Sequence, residues 1–424
     1  MHHSVFRFLW RIVTACKPFL KKIVPSALLK RVQPWATRRK LAVVLSSFQH
    51  RFCRSAAPDG VNLIGYIKGE IGLGQSCRLV ADALAQSGAA FTIYNVDQIG
   101  QMRHSDSTWD SKITNTVPFN INLIHINPSE LVAAYFQLPA SMWAQHYNIG
   151  FWLWELEEFP DEWCLCMGLL DEIWTPAEFV SESIRKKTSL PVRTVPYAIS
   201  APTDDACSRS WFHLPENQFL YLTMYDCNST IQRKNPLGVI AAYKRAFPVE
   251  NPEVGLVIKV NNPQQADLDM LQASFQGYRN IYLISDILTK VQVNSLVSCV
   301  DVLVSLHRAE GFGLALAEAM LLGTPVVATN WSANTEFMNQ ETACMIDYSL
   351  VPIEEDYGPY KAGNRWADAD LEQAAEAMQK LWQDPAFYQQ ISQNAKRSVT
   401  EQLSLERAGR CVRQRIDEIY SRPE

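Results

Sequence analysis

Nowhere in the 424 residues is there a run of the ~18–20 uncharged apolar residues that a bilayer-spanning helix needs, so no helix of this chain is expected to cross a membrane. CxxC pairs and His/Cys clusters at zinc spacing are missing too. The ten cysteines are scattered through apolar segments, which points to reduced, buried thiols in a cytosolic protein rather than to a disulfide framework. Charged residues are scarce, 20% against 47% hydrophobic, which excludes a mostly disordered chain. At ~100–200 residues per domain the length allows two to four domains. Acidic residues are absent from Met1–Pro58, which holds twelve Lys or Arg; against an overall charge of −5, this leaves −17 on the rest.

Within that basic end, Val5, Phe6, Leu9, Trp10 and Val13 recur at helical spacing among Arg7, Arg11, Lys17, Lys21 and Lys22. Such an amphipathic segment suits an anionic membrane surface, and it equally suits a helix packed on the body. Arg7, Arg11 and Lys17 interrupt every stretch long enough for a signal-peptide core, so none is expected. The expected location is cytoplasmic, with peripheral attachment to the inner face of the membrane as the open question. An acidic body without a recognisable binding module argues against nucleic acid as a partner.

From Asp59 onward short buried-strand patterns alternate with helical ones: VNLIGYI, a glycine loop, CRLVADALAQSG and FTIYNVD, then INLIHINP, YNIGFWLWEL, DEIWTP and VRTVPYAI. A polar stretch from Ser200 to Glu216 marks a domain boundary. The alternation restarts with QFLYLTMYD and continues through VGLVIKV, NIYLISD, DVLVSL and TPVVATN. The expected fold is α/β, with two doubly wound, Rossmann-like domains facing across a cleft. The chain divides into a basic extension (1–58), a first domain (59–212), a second domain (213–395) and a terminal segment (396–424). In that last segment Leu405, Ala408, Val412, Ile416 and Ile419 form a stripe that must dock on something.

The most informative stretch is LHRAEGFGLALAEAMLLGTPVVATNWSANTE, where a strand ends, a loop carries Glu310, Gly311, Phe312 and Gly313, and a helix carries Glu318. The carboxyl end of a parallel strand is where open α/β sheets bind ligands, and the glycines let backbone N–H groups approach a phosphate. A helical Glu can grip vicinal sugar hydroxyls; the bland alternative is a solvated helix Glu. The whole stretch resembles the E-x7-E signature of retaining GT-B glycosyltransferases of the family 4 type, with Glu310 and Glu318 matching its two Glu. The resemblance implies that Glu318 holds the nucleotide ribose, that Glu310 lies by the donor sugar, and that Gly311, Phe312, Gly313 and Leu314 line sugar and phosphates. Glu336 matches a Glu often found in the following loop. The resemblance covers most of residues 215–395 and the first domain only loosely, and it implies that the C-terminal helix (396–424) returns to the first domain.

Two adjacent cations, Arg233 and Lys234, read as the start of a helix, where the dipole disfavours them unless an anion binds there. By the same resemblance Lys234 matches a Lys set against the donor diphosphate; the usual Arg position holds Ser229, and Arg233 is the nearest guanidinium. In the first domain the loop containing Gly72 and Gly74 opens a helix after a strand and suits a phosphate. It reads either as an incomplete dinucleotide fingerprint with Asp97 as the ribose acid, Cys77 standing at the third glycine, or as the GT-B loop bordering donor and acceptor. His125, Trp154 and Glu155 end strands on the acceptor side; for the first two, plain core positions are the alternative.

Asp267/Asp269 and Asp368/Asp370 form Asp-x-Asp pairs in polar sequence leading into helices, where carboxylates serve the dipole, so no catalytic metal and no cofactor are expected. The activity implied is retaining transfer from a nucleotide sugar to a glycan or lipid-linked acceptor. A nucleotide-sugar epimerase on the same fold and a non-catalytic sugar-nucleotide-binding protein are the alternatives.

Overall fold

The structure, a computed structural model, describes residues 52, 57–97, 103–249 and 251–421. The expectations for the basic extension fall almost entirely outside the described residues. Among those described, no helix is long and apolar enough to cross a membrane.

The first domain contains β1 (Val61–Gly65), α1 (Gly72–Gln86), β2 (Phe91–Asn95), β3 (Ile121–His125), α2 (Pro128–Gln137), β4 (Tyr147–Phe151), β5 (Glu172–Thr175), α3 (Glu178–Arg185) and β6 (Val192–Thr194). Its six strands pair in parallel in the order β2-β1-β3-β4-β5-β6. Strands β1, β3 and β4 are buried along their whole length, as helices on both faces of a parallel sheet require. One polar row crosses this apolar centre. Asn62, Asn122 and Asn148 stand in register, and each side-chain amide donates to the next, Asn62 to Asn122 and Asn122 to Asn148, both at 2.9 Å. Asn148 passes the chain on to the Trp143 carbonyl at 3.0 Å, so the row ends satisfied rather than orphaned.

The second domain contains β7 (Phe219–Asp226), α4 (Ile231–Lys234), α5 (Pro236–Ala246), β8 (Val254–Asn261), α6 (Gln265–Ser274), β9 (Ile281–Ile284), α7 (Lys290–Cys299), β10 (Val302–Ser305), α8 (Leu314–Leu322), β11 (Val326–Thr329) and β12 (Cys344–Ile346). Again all six strands are parallel, ordered β12-β11-β10-β7-β8-β9. An antiparallel hairpin follows, β13 (Tyr348–Pro352) and β14 (Arg365–Ala369), then α9 (Leu371–Gln383), α10 (Pro385–Gln402) and α11 (Leu405–Tyr420). The polar stretch after Ser200 lies against this domain: the Arg209 guanidinium donates to the carbonyls of Gln218 and Cys299, both at 2.7 Å, and pairs with Asp301.

Helix α10 stays with the second domain through Gln402, and α11 crosses to the first, where it packs along α1. Of the apolar stripe, Ala408, Val412, Ile416 and Ile419 are buried and Leu405 is exposed. Gly409 permits the close approach: a Cβ there would sit 2.7 Å from the Gln86 side chain. Arg415 reaches beneath the helix to Glu172 at the start of β5, a pair almost wholly out of water.

Candidate functional site

The site is assembled at the carboxyl ends of β7 and β10. Beyond β7 the chain makes the single turn α4 and then Asn235 in the left-handed region, φ 52°. The Asn235 side chain accepts from Gly238 N at 3.1 Å and donates to Leu306 O at 2.9 Å, tying the end of α4 to the end of β10. Two further bonds complete the joint, Arg308 N to Arg233 O at 2.7 Å and Arg233 Nη1 to Ala309 O at 2.8 Å. Arg233 and Lys234 are thereby carried to Glu310. The two cations close α4 and directly precede Asn235, the N-cap of α5; what brings them to Glu310 is this joint.

Lys234 bonds the Glu310 carboxylate, and Arg233 Nη1 lies 3.5 Å from the same oxygen. From the facing domain Glu155 approaches to 3.9 Å of Arg233 Nη2 and accepts from the Tyr360 hydroxyl at 3.1 Å. Burial pulls the Lys234 ammonium below its usual pKa. Burial also penalises charge on Glu310, but Lys234 and Arg233 outweigh it and hold the carboxyl down at about 2. Burial lowers Arg233 too, yet Tyr360, Glu155 and Glu310 keep it above its ordinary range. Two cations and two carboxylates thus meet at the edge of a parallel sheet, each cation already facing a carboxylate.

Glu318 lies in the middle of α8, only 3% exposed, with Lys290 Nζ at 2.5 Å. Burial raises its pKa, and Lys290 opposes that. Lys290, the first residue of α7, was not singled out by the sequence reasoning. Neither was His307, which is buried and bonded through Nε2 to Asn334 Oδ1 at 3.0 Å. Nothing periodic marks either residue.

The other expected site residues divide. Gly313 has φ 95° at the start of α8, a backbone shape that favours glycine, and Leu314 opens the helix half-buried. A Cβ on Gly311 would lie 2.9 Å from the Trp154 carbonyl, so this glycine serves the contact between domains. Phe312 packs on Tyr197 and Phe337 with ring centroids at 4.9 and 5.2 Å; its side chain is core rather than lining. Gly72 has open space around it. Gly74 does not: a Cβ would lie 2.0 Å from the Gly69 carbonyl, and its smallness shapes the loop, which Arg78 also holds through the Ile67 and Gly69 carbonyls.

His125, placed on the acceptor side from sequence, is wholly enclosed. It is bonded to Ser76 at 2.6 Å, with Tyr197 on the other side of that hydroxyl, and it stacks on Phe151; burial lowers its pKa to about 4. Trp154 is enclosed as well: its indole N–H donates to Glu158 O at 2.9 Å and its ring stacks on Tyr360, so the face expected to meet a sugar is covered. Of those three, Glu155 alone joins the cluster. Glu336 instead accepts the first two N–H groups of α3, Glu178 at 2.9 Å and Phe179 at 2.7 Å, and so caps a helix of the opposite domain.

The Asp-x-Asp carboxylates all have structural partners. Asp267 closes the capping box of α6, Asp269 accepts from Gln265, Asp368 pairs with Arg308 and Asp370 caps α9. Among the described residues no three His, Cys, Asp or Glu side chains converge as a metal site.

Comparison with known proteins places this geometry in context. Residues 227–398 match the family Glycosyl transferases group 1. A search of curated proteins found no match. Among solved structures, a glycosyltransferase from Rickettsia africae ESF-5 superposes with a TM-score of 0.63 at 13% identity, over 86% of this chain and 100% of that one. Sucrose-phosphate synthase from Thermosynechococcus elongatus gives 0.62 at 14%, over 86% and 100%. Anabaena Alr3699/HepE, in complex with UDP and glucose, gives 0.61 at 11%, over 85% and 100%. The chain therefore has the two-domain GT-B fold, and the stretch of its second domain that holds Arg233, Lys234, Glu310 and Glu318 is a match to group 1 glycosyl transferases.

Proposed function

We propose that the protein is a glycosyltransferase of the retaining, family 4 type, moving a hexose from a nucleotide sugar to a glycan or lipid-linked acceptor. The observation that carries this reading is the meeting of Lys234, Arg233 and Glu310 at the carboxyl edge of the second sheet, opposite Glu155. Because Alr3699/HepE binds UDP and UDP-glucose, a UDP-sugar is the donor of choice. On binding, the diphosphate displaces the Glu310 carboxylate from Lys234 and Arg233. As the anomeric bond to the phosphate oxygen breaks, those cations neutralise the charge growing on the leaving diphosphate. The acceptor oxygen attacks from the same face, its proton passes to the departing phosphate oxygen, and the configuration is kept. In this reading Glu318, partnered by Lys290, grips the ribose hydroxyls. No metal takes part in this scheme, so EDTA leaves the rate unchanged.

Thermal melts against a panel of nucleotide sugars test the reading, since a ligand present at 100 times its Kd stabilises the native state by about 2.7 kcal/mol. One donor is expected to raise the melting temperature and to be turned over only with an acceptor. Glu318→Ala is expected to weaken that donor's binding, and Glu310→Ala to lower turnover chiefly. Conversion of the donor without an acceptor would identify an epimerase, and binding with no turnover a non-catalytic protein.

The basic segment Met1–Pro58 favours a lipid-linked acceptor at the cytoplasmic surface of the membrane, each Lys or Arg near anionic lipid contributing about 1 kcal/mol. The intact protein is expected to sediment with anionic but not with neutral vesicles at low salt, and to be released as salt rises. Indifference to anionic vesicles would remove the support for a lipid-linked acceptor.

A further inference from the structure

The hairpin β13–β14 crosses from the second domain to the first. Its loop closes on itself through paired backbone bonds between Tyr357 and Tyr360, at 2.9 and 3.1 Å, and through Asp356, which accepts from Ala362 N and pairs with Lys361. Its base is tied to the loop that carries Glu310: Ala367 N donates to Arg308 O at 3.0 Å, the Arg308 guanidinium pairs with Asp368, and it lies over the Trp366 ring. The tip reaches the other domain. Tyr360, 6% exposed, stacks on Trp154 with centroids 5.5 Å apart and planes at 19°. Its hydroxyl donates to Glu155 at 3.1 Å, and the Arg233 guanidinium sits 5.7 Å from its ring centre. Nearby, Arg365 meets Glu157 at 3.4 Å.

One side chain thus touches the carboxylate supplied by the first domain and the guanidinium supplied by the second. We infer that Tyr360 is a positioning residue for the transfer reaction, its hydroxyl fixing the Glu155 carboxylate against Arg233 so that the two halves of the site meet in one geometry. The inference rests on the proposed glycosyl transfer. Trp154 cannot turn away to release the tyrosine, because its own N–H is held by Glu158 O, and Arg233 is anchored through Ala309 O. The hydroxyl therefore selects among orientations of Glu155 alone, and a group held to better than an ångström is worth on the order of 10–10² in rate.

Tyr360→Phe keeps the ring and removes the hydroxyl. Its kcat is expected to fall by about 10-fold, with the Kd for UDP within about 2-fold of the parent and the melting temperature nearly unchanged. The same change made in a Glu155→Ala background should cost much less, because the hydroxyl then has no side-chain acceptor to orient. A tyrosine that served packing alone would give additive losses in the two backgrounds. Full activity in Tyr360→Phe, or additivity, overturns the inference. Absence of turnover in the parent protein with every donor overturns the proposed function instead, so the two failures are told apart.

Discussion

Lys234→Ala is expected to lower turnover by at least about 10²-fold, the scale for losing one preorganised group that stabilises developing charge. Its ammonium, 23% exposed, meets the Glu310 carboxylate, 12% exposed, so a diphosphate reaches it by displacing that carboxylate. The variant should still fold, because Arg233 lies 3.5 Å from the same carboxylate and remains to partner it. Steady-state rates with the donor found in the panel, together with a thermal melt, provide the check. Near-normal turnover would remove the diphosphate from this site and with it the role of α4. Arg233→Ala tests something different: that guanidinium also bonds the Ala309 carbonyl, so its loss should damage the joint between β7 and β10 along with the rate.

The second large effect is structural. Arg415→Ala is expected to cost about 3 kcal/mol of stability, the lower end of the range for breaking a buried ion pair, since Arg193 stands 3.5 Å from the stranded Glu172. For a domain of this size that corresponds to about 6–12 °C in melting temperature. Glu172 is fully buried and also accepts from Tyr147 at 2.9 Å and Trp174 at 2.8 Å, so it has no route to water. Differential scanning calorimetry reads the shift. An unchanged melt would mean that α11 is not anchored through this pair.

The second sheet and its ligand edge were legible because every element there is local: strand, glycine loop and helix follow one another within Val302–Leu322. Glu310 and Glu318 stand out in that stretch through its resemblance to a glycosyltransferase signature, and Lys234, which follows β7, through the same resemblance. The helix expected to start at Arg233 and Lys234 starts at Pro236, because a four-residue turn and a left-handed Asn235 cannot be told from the start of α5 by apolar spacing. What stayed hidden depends on contacts distant in sequence. Tyr360 meets Glu155 across 205 positions, and Lys290 meets Glu318 from another helix. Nor does a strand's apolar pattern announce the asparagine row, because three single polar residues in three strands acquire meaning only in register. His125 and Trp154 were placed at strand ends by sequence, but whether a strand end faces the cleft or a neighbouring ring is decided by side chains such as Ser76 and Tyr360.

The crossing of α11 sets the order in which the chain can mature on the ribosome. The first sheet is complete in sequence once β6 has emerged, yet the partner of its buried Glu172 lies 243 positions downstream. Until α11 is made, Glu172 of the nascent first domain lacks its Arg415 partner, α1 keeps a bare apolar strip, and Gly60 lacks the Tyr420 hydroxyl that later bonds its N–H at 2.9 Å. The first domain is therefore expected to reach its full stability only once α11 has been made.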